Sequence, residues 1–263
     1  MRIVLKVGSA LISRGPRIDH GWMKRKVREI AALAQQGHEI VLISSGAVAA
    51  GMEIEGLQER PAETLALQLL SGMGQIKLMK YYKDYFKRKG LVVAQVLLTH
   101  HNFDTASERA TVQRIMNAYL AQGAIPIVNE NDLVNKEELE YRRAFTDNDI
   151  LAALVAVNLK ADMAIILTDV DGLFRGDPKQ DASAVLMERI VRIDESIRRL
   201  AGQETNSLGL GGMQSKVRAA EMMTRSGIDV IVANGRRRIE DIIENRVRRS
   251  LFAAEKSSAA RTS

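Results

Sequence analysis

The sequence predicts an α/β protein with a mostly parallel central sheet that is covered by helices on both faces. Short β-branched segments alternate with segments of helical periodicity from one end of the chain to the other. The connections between them are short turns marked by glycine, as in repeated βα units. With 263 residues the chain can bury one large core, and no linker or internal repeat divides it.

The elements of the N-terminal half are delimited by caps and glycines. The first strand is predicted over residues 3–9, and Asp19 has the position of an N-cap for a helix that ends at Gln36, before Gly37. The next predicted elements are a strand at 40–43, a long amphipathic helix with Pro61 in its first turn and its end near Gly90, a strand at 91–98, a helix at 105–122, and a strand at 125–128 whose proline indicates a bulge or the start of pairing.

The elements of the C-terminal half follow the same alternation. Residues 133–145 are strongly charged and are predicted to form an exposed hairpin or flap. The remaining predicted elements are a helix at 147–159, a strand at 164–167, a mixed region with turns at Gly172 and Asp177-Pro178, a helix at 213–226, a strand at 230–232 and a helix at about 239–245. We predict a single domain over residues 1–252, followed by a flexible tail at 253–263.

Two lysines on glycine loops, far apart in the chain, are the most informative residues. Lys6 interrupts an apolar strand and is followed by Gly8 and Ser9, so its ammonium group needs an anion to offset the cost of burial. Lys216 follows a second glycine loop, at residues 209–215, at the start of a predicted helix. Backbone N–H groups of glycine turns and helix N-termini also bind anions. Lys6 alone could reach solvent from an edge strand, whereas Lys216 alone is poorly placed for the helix dipole, which favours anions at that end and so favours a ligand-binding role. Together the two loops predict a polyphosphate held from both sides.

Polar clusters follow several predicted strands, and parallel strands bring their carboxyl ends to one edge of a sheet. Besides Lys6 with Gly8-Ser9, the clusters are Ser44-Ser45-Gly46-Ala47, Asn129-Glu130-Asn131-Asp132 and Thr168-Asp169. The amide and carboxylate groups of Asn129, Asn131 and Asp132 suit the ammonium group of a zwitterionic substrate, or they form an Asx-turn. Asp147-Asn148-Asp149 precedes the apolar run at 150–157, where one carboxylate could cap the helix, hold Mg²⁺ or orient the two lysines.

Composition and motifs exclude several function classes. The chain has no cysteine, which excludes disulfides and thiolate–zinc sites and fits a cytoplasmic location. It has neither a P-loop nor a Gly-x-Gly-x-x-Gly turn after a strand, so P-loop kinases and ordinary dinucleotide-binding folds are excluded. The apolar runs are too short for a membrane span, and we expect no signal peptide. The net charge of +6 is concentrated near the C-terminus, where we predict a solvated helix face rather than nucleic-acid binding, because no nucleic-acid motif accompanies it.

In order and spacing, these loops resemble the amino acid kinase family, and in particular its members that phosphorylate glutamate. The resemblance covers residues 2–252. Its most specific parts are the segments 44–51, 127–132 and 147–149, together with Gly211-Gly212-Met213 and Lys216. It implies an open αβα sandwich, the amino acid kinase fold, in which ATP with Mg²⁺ phosphorylates the side-chain carboxylate of L-glutamate as the first step of proline biosynthesis.

The resemblance also implies the roles of individual residues. Lys6 and Lys216 are expected to stabilise charge on the transferring phosphoryl group, and Asp149 is expected to hold both lysines in place. The residues expected to bind the substrate are Ser45, Gly46, Ala47, Asn129, Asp132, Asp147 and Asn148. Those expected to bind ATP are Lys6, Gly8, Ser9, Thr168, Asp169, Leu210, Gly211, Gly212, Met213, Gln214, Ser215 and Lys216, and no side chain is expected to bind the metal ion directly.

The implied reaction needs no general base. A glutamate side chain has a pKa of about 4.3, so the attacking carboxylate is already ionised at neutral pH. Catalysis then depends on positioning and electrostatics, as expected for phosphoryl transfer. The product is a labile acyl phosphate, so glutamyl phosphate reductase is the expected next enzyme. The resemblance also implies a homo-oligomer, either a dimer or a dimer of dimers.

The sequence departs from the family pattern near the expected site. Leu210 stands where threonine is usual, Thr146 stands where glycine usually precedes Asp147, and the charged segment at 133–146 is longer than usual. We also expect no C-terminal RNA-modifying-enzyme-like (PUA) domain. These differences leave two alternatives open: another carboxylate or carbamate kinase of the family with a different acceptor, and a nucleotide or amino-acid sensor without turnover.

Overall fold

The computed structural model of the chain describes residues 1–133, 148–176, 181, 183–202 and 212–255. Its strands are β1 (Arg2–Val7), β2 (Ser13–Arg14), β3 (Arg17–Ile18), β4 (Glu39–Ser44), β5 (Val93–Leu98), β6 (Ile125–Glu130), β7 (Met163–Thr168), β8 (Phe174–Arg175), β9 (Val185–Leu186), β10 (Arg189–Ile190), β11 (Asp229–Asn234) and β12 (Arg249–Phe252). Its helices are α1 (Ser9–Ile12), α2 (His20–Gln35), α3 (Ala47–Glu55), α4 (Thr64–Lys87), α5 (Ala106–Ala121), α6 (Asn148–Leu159), α7 (Glu195–Gly202), α8 (Met213–Arg225) and α9 (Ile239–Ile243), with a 3₁₀ helix at His100–Phe103. Within these ranges, none of the helices combines the length and apolarity that a bilayer span requires.

One sheet of eight strands forms the centre of the described structure, in the order β10-β12-β11-β7-β1-β4-β6-β5. Neighbouring strands are parallel except for β11 and β12, which confirms the predicted mostly parallel sheet. β1 lies inside the sheet, with Lys6 opposite Ile43 of β4 and Ile166 of β7. Lys6 therefore belongs to an interior strand rather than to an edge strand.

Alternate residues of β1 face two separate apolar layers. Ile3, Leu5 and Val7 pack in the layer that includes α2 and α4, whereas Val4 packs in the layer that includes α6 and α8. By alternation Lys6 faces the same side of the sheet as Val4. The strand thus directs Lys6 towards the two helices that carry Asp149 and Lys216.

Most predicted elements are confirmed, with ends shifted by one or two residues. Asp19 caps α2 by accepting a hydrogen bond from the Trp22 N–H at 2.8 Å, and Thr105 caps α5 within a capping box. The first strand ends at Val7, two residues before its predicted end. One boundary is wrong: α4 begins at Thr64, so Pro61 precedes the helix, and Glu63 at its N-cap is still in extended backbone (φ −76°, ψ 130°).

Several short elements are not predicted by the sequence. These are α1, α3, α7, the 3₁₀ helix, the hairpin of β2 with β3, and the strands β8, β9, β10 and β12. Two-residue strands are too short to carry a periodic pattern, and α3 is apolar on nearly all sides. Apart from Leu133, the predicted flap at 133–145 lies outside the described residues, as do the turn at Asp177-Pro178 and residues 256–263 of the predicted tail.

Helices α3 and α4 cross with their backbones in contact. A Cβ atom on Gly74 would lie 1.9 Å from the carbonyl oxygen of Ala47, and one on Gly51 would lie 2.1 Å from the carbonyl oxygen of Leu70. Any larger residue at either position would force the helices apart. The start of α3, which directly follows Ser45 and Gly46, is therefore fixed against α4.

α4 buries three polar side chains among apolar ones, and it exposes four apolar side chains in its N-terminal part. The polar residues Gln68, Ser71 and Gln75 are buried. The exposed apolar residues are Leu65, Leu69, Met73 and Ile76. The buried side also carries Leu67, Leu70, Leu78, Tyr82 and Phe86, so the three polar groups lie among apolar side chains and need hydrogen-bond partners inside the protein.

Candidate active site

The carboxyl ends of β1, β4, β6 and β7 meet at one edge of the sheet, which is where open α/β sheets bind ligands. The register places Val7 opposite both Ser44 and Leu167, so these strands end at the same level. Most of the site residues expected from the sequence lie along this edge.

Lys6 and Lys216 converge on Asp149 here. The Nζ atom of Lys6 lies 2.6 Å from Oδ1 of Asp149, and the Nζ atom of Lys216 lies 3.1 Å from Oδ2. Asp149 is fully buried and each lysine is 5% exposed. Asp149 and Lys216 lie in the first turns of α6 and α8, and these two helices pack against each other. The structure thus brings together three residues that are distant in the sequence.

Asp149 is ionised in spite of its burial. Burial alone raises the pKa of Asp149, but attraction to Lys6 and Lys216 and the hydrogen bonds from both hold the pKa below its ordinary value of 3.8. Within the described residues, one buried carboxylate holds both ammonium groups. Two ammonium groups fixed at this edge of the sheet are suited to attracting an anionic ligand.

A group of amide side chains lies beside this cluster. The Nδ2 atom of Asn148 donates to Oγ of Ser45 at 2.9 Å and to Oδ1 of Asn129 at 3.2 Å. Both hydrogens of that amide are therefore used within the protein. Its Oδ1 atom is buried and has no hydrogen-bond partner among the residues that the structure describes. A ligand that binds here can satisfy this oxygen with an N–H or O–H group.

Two glycine loops border the site. Gly46 has φ 111°, in the left-handed region, and a Cβ there would lie 2.8 Å from Cγ2 of Ile12. Gly46 is also the N-cap of α3, which begins at Ala47. Gly8 precedes Ser9 at the start of α1, and a Cβ at Gly8 would lie 3.8 Å from Nζ of Lys6. The lack of a side chain at Gly8 leaves space for a ligand beside that ammonium group.

Thr168 and Asp169 lie at the end of β7. The hydroxyl of Thr168 donates to Oδ1 of Asp169 at 3.2 Å, and the Asp169 carbonyl accepts from Nδ2 of Asn234 at 3.3 Å. β7 and β11 are neighbours in the sheet, with Thr168 opposite Asn234. The two loops after these strands are thus joined at the same edge.

The second predicted glycine loop is described only from Gly212 onward. Gly212 is the N-cap of α8, in extended backbone, and Met213 is buried beneath it. Gln214 is exposed, and the buried Oγ of Ser215 lacks a partner in the described part of the chain. Three expected site residues, Asp147, Leu210 and Gly211, lie outside the described residues.

α4 supplies contacts to the site that the sequence analysis missed. The Ser71 hydroxyl donates to Oδ2 of Asp132, and Nε2 of Gln68 donates to the Asp132 carbonyl at 3.0 Å. Oε1 of Gln75 accepts from Nδ2 of Asn129 at 3.0 Å. The signal that could have found these residues is their spacing, because positions 68, 71 and 75 form one stripe along a helix.

Residues 1–234 match the model of the Amino acid kinase family, and the chain belongs to that family. It is 40% identical over 243 residues to the glutamate 5-kinase of Dehalococcoides mccartyi, covering 92% of this chain and 64% of that protein. It is also 40% identical over 236 residues to the glutamate 5-kinase of a Marinomonas species, covering 89% of this chain and 62% of that protein. The chain thus spans less than two thirds of the length of these relatives.

Solved structures of two kinases share the fold of this chain. An isopentenyl phosphate kinase superposes with a TM-score of 0.66 at 18% identity, covering 96% of this chain and 100% of that one. The UMP kinase of Ureaplasma parvum superposes with a TM-score of 0.61 at 14% identity, covering 96% of this chain and 98% of that one. These likenesses establish the α/β architecture with its mostly parallel sheet.

Proposed function

We propose that the chain is an ATP-dependent kinase that phosphorylates the side-chain carboxylate of L-glutamate to give L-glutamyl 5-phosphate, the first step of proline biosynthesis. The observation that carries the proposal is the buried Lys6–Asp149–Lys216 cluster, which fixes two ammonium groups at the edge of the sheet where ligands bind. The 40% identity to glutamate 5-kinases supports glutamate as the acceptor.

The proposed reaction is a direct transfer of the γ-phosphoryl group. An oxygen of the glutamate carboxylate forms a bond to the γ-phosphorus, and the bond to the β,γ-bridging oxygen breaks, so that ADP leaves with the electron pair. No proton moves, because the attacking carboxylate is ionised at neutral pH. Lys6 and Lys216 offset the negative charge on the phosphates, and Asp149 keeps the two ammonium groups in fixed positions.

Glutamate would lie beside the amide group. The buried Oδ1 of Asn148 would accept a hydrogen bond from the substrate ammonium group, with Asp132 supplying negative charge nearby. Ser45, Gly46, Ala47, Asn129 and Asp147 would complete this half of the site. The nucleotide would occupy the other half, along Gly8, Ser9, Thr168, Asp169 and the loop that leads to Lys216.

The expected Mg²⁺ ion would bind together with the nucleotide. Within the described ranges, no group of three or more His, Cys, Asp and Glu side chains could hold a metal ion. Mg²⁺ in kinases commonly keeps several waters and binds the substrate phosphates, so it needs few protein ligands. Bound in this way, it would neutralise phosphate charge next to the two lysines, and Asp149 would remain with its lysine partners.

Trapping the acyl phosphate tests the proposal. The wild-type protein, given glutamate, ATP and Mg²⁺ with hydroxylamine present, is expected to form the glutamyl hydroxamate. Lys216→Met is expected to lower the rate by roughly 100- to 1,000-fold, as for loss of one transition-state donor. Lys83→Met, which removes an exposed lysine of α4, is the matched control and is expected to keep the wild-type rate.

A panel of acceptors separates the proposal from its alternatives. N-acetylglutamate, aspartate and carbamate are assayed beside glutamate by ADP release. Faster turnover of any of these would assign a different acceptor, and ATP binding without transfer to any of them would indicate a sensor. We further propose that the enzyme works in the cytoplasm as a homo-oligomer and passes its labile product to glutamyl phosphate reductase.

A further inference from the structure

The amide groups beside Ser45 form a chain of hydrogen bonds that begins on α4. Nδ2 of Asn129 donates to Oε1 of Gln75, and Oδ1 of Asn129 accepts from Nδ2 of Asn148. The other hydrogen of that nitrogen goes to Ser45. Gln75 is 8% exposed and Asn129 is 4% exposed, so solvent has little access to replace these bonds.

The direction in which these hydrogen bonds are donated decides which atom of the Asn148 amide is left for a ligand. A primary amide has an acceptor oxygen at one corner and a donor nitrogen at the other, and turning it by half a rotation exchanges them. In the observed direction, the nitrogen of Asn148 faces Asn129 and Ser45, and its oxygen is left for a ligand. In the reverse direction, Asn148 would accept from Asn129 and present its nitrogen instead.

We propose that Gln75 is a positioning residue that fixes the direction of these hydrogen bonds. It thereby makes the part of the site that binds the phosphoryl acceptor selective for a substrate with a hydrogen-bond donor, such as an ammonium group. Gln75 acts through Asn129 and not by touching the substrate. This inference rests on the proposed function and deepens it. The backbone contact of the adjacent Gly74 with α3 fixes the position of Gln75 relative to Ser45, which lies just before α3.

Two substitutions of similar size separate the hydrogen bond from the packing. Gln75→Met removes the oxygen that accepts from Asn129. Because one buried hydrogen bond is lost, the KM for glutamate is expected to rise about tenfold. The KM for ATP is expected to stay within about twofold of wild type. Gln75→Glu keeps an acceptor oxygen at that corner in either protonation state, and its KM for glutamate is expected to stay within about threefold of wild type. An unchanged KM for glutamate in Gln75→Met would overturn the inference, and so would equal damage in both variants.

A second measurement does not depend on which substrate accepts the phosphoryl group. Hydrogen-bonded side-chain NH₂ groups exchange slowly with solvent, so ¹⁵N-asparagine labelling reports on Asn129 and Asn148 directly. Slow exchange is expected in wild type, in Gln75→Glu and in the control Gln68→Met, and fast exchange in Gln75→Met. Gln68 is a fair control because it is also 8% exposed on the same face of α4 but binds the backbone of Asp132.

The two measurements keep the inference distinct from the function on which it rests. If wild type does not turn over glutamate, the proposed function fails, and the exchange experiment still decides the role of Gln75. If wild type is active and the NH₂ groups remain protected in Gln75→Met, the positioning role fails alone.

Discussion

Asp149 holds two ammonium groups with the two oxygens of one carboxylate. Because the three groups are almost fully buried, neither lysine can exchange this partner for water at little cost. The carboxylate thus sets the distance between the two positive charges before any ligand arrives. Such preorganisation is the property on which electrostatic catalysis depends.

Asp149→Asn removes the charge but keeps the shape of the side chain. We expect the rate of phosphoryl transfer to fall by roughly 100- to 1,000-fold, because the lysines lose their fixed positions. We also expect the free energy of unfolding to fall by about 3–5 kcal/mol at pH 7, since the buried ion pairs of this carboxylate with the two ammonium groups are lost. Urea unfolding and the hydroxamate assay measure both effects.

The control for this variant is Asp84→Asn, which breaks the exposed pair with Lys80 on α4. Neither its stability nor its activity is expected to change measurably. Full activity in Asp149→Asn would contradict the role given to the carboxylate.

Acid should reduce the difference between wild type and Asp149→Asn. The pKa of Asp149 is lower in the folded protein than its ordinary value of 3.8, so its contribution to stability is fully present above that value. The contribution is lost as the pH falls through the folded pKa, when the carboxyl takes up a proton. Urea unfolding from pH 7 to pH 3 is expected to show the two curves converging below about pH 4. A constant gap over this range would mean that Asp149 stabilises the fold in some other way.

The lysine cluster could be predicted from the sequence, whereas the buried polar residues of α4 could not. Lys6 interrupts a run of β-branched residues, and Asp149 precedes a wholly apolar run, so each is conspicuous as a charge in a buried segment. Ser71 lies between Leu70 and Gly72, and Gln75 lies between Gly74 and Ile76, in a helix with apolar residues on both its buried and its exposed sides. A polar residue in that setting is ordinarily assigned to solvent, and only the tertiary structure reveals that these two are buried.

At the scale of elements, α4 links the parts of the proposed substrate site. It bonds to Asn129 and Asp132 after β6, and Gly74 places it against α3, which begins directly after Ser45 and Gly46. A displacement of this helix would therefore move the residues after β6 and those at the start of α3 together, and both belong to the proposed substrate site.

Gly74→Ala tests this arrangement. The new methyl group would meet the Ala47 carbonyl oxygen at 1.9 Å and the Gly51 nitrogen at 2.3 Å, so α3 and α4 must separate. We expect a loss of about 3 kcal/mol or more in the free energy of unfolding, as for severe overpacking. The KM for glutamate is expected to rise more than the KM for ATP, because Ser45 and Asn129 are displaced.

Gly202→Ala is the matched control, because Gly202 lies in α7 with nothing within 4 Å of the added atom. It is expected to be neutral or stabilising by up to about 1 kcal/mol. Thermal unfolding measured beside the kinetics distinguishes the two glycines, and equal stability in both variants would refute the close helix contact.

Elements were predictable where a periodic run of several residues ends in a recognisable cap. Asp19 before α2 and Gly123 after α5 mark such ends, and those helices were placed closely. β12 has four residues and pairs antiparallel to β11 while running parallel to β10. Its position depends on partners far away in the chain, which no local pattern encodes.

At the scale of the whole molecule, β12 completes the sheet between β10 and β11. Phe252 is fully buried there, and the Ser250 hydroxyl accepts from the Leu173 N–H at 2.9 Å and donates to the Met187 carbonyl at 2.7 Å. Glu255 still makes a backbone hydrogen bond to Thr224. The last described residues are thus integral to the fold.

Two truncations test this assignment. A chain of residues 1–255 is expected to keep the melting temperature and the kinase rate of the full chain. A chain of residues 1–248 lacks β12, and the loss of Phe252 alone should cost about 3–5 kcal/mol, so this chain is expected not to fold stably. Circular dichroism melts of the two proteins provide the comparison, and cooperative folding of the shorter chain would show that β12 is dispensable.

Lys6 comes from the first strand of the sheet, and Lys216 from a helix near the other end of the chain. On the ribosome, the first ammonium group and Asp149 are made long before the second. A nascent chain that stops short of α8 therefore lacks Lys216 and its ion pair with Asp149. Under the proposed function, such a chain would have one of the two expected phosphate-binding lysines, so productive use of ATP would begin only after α8 has been made.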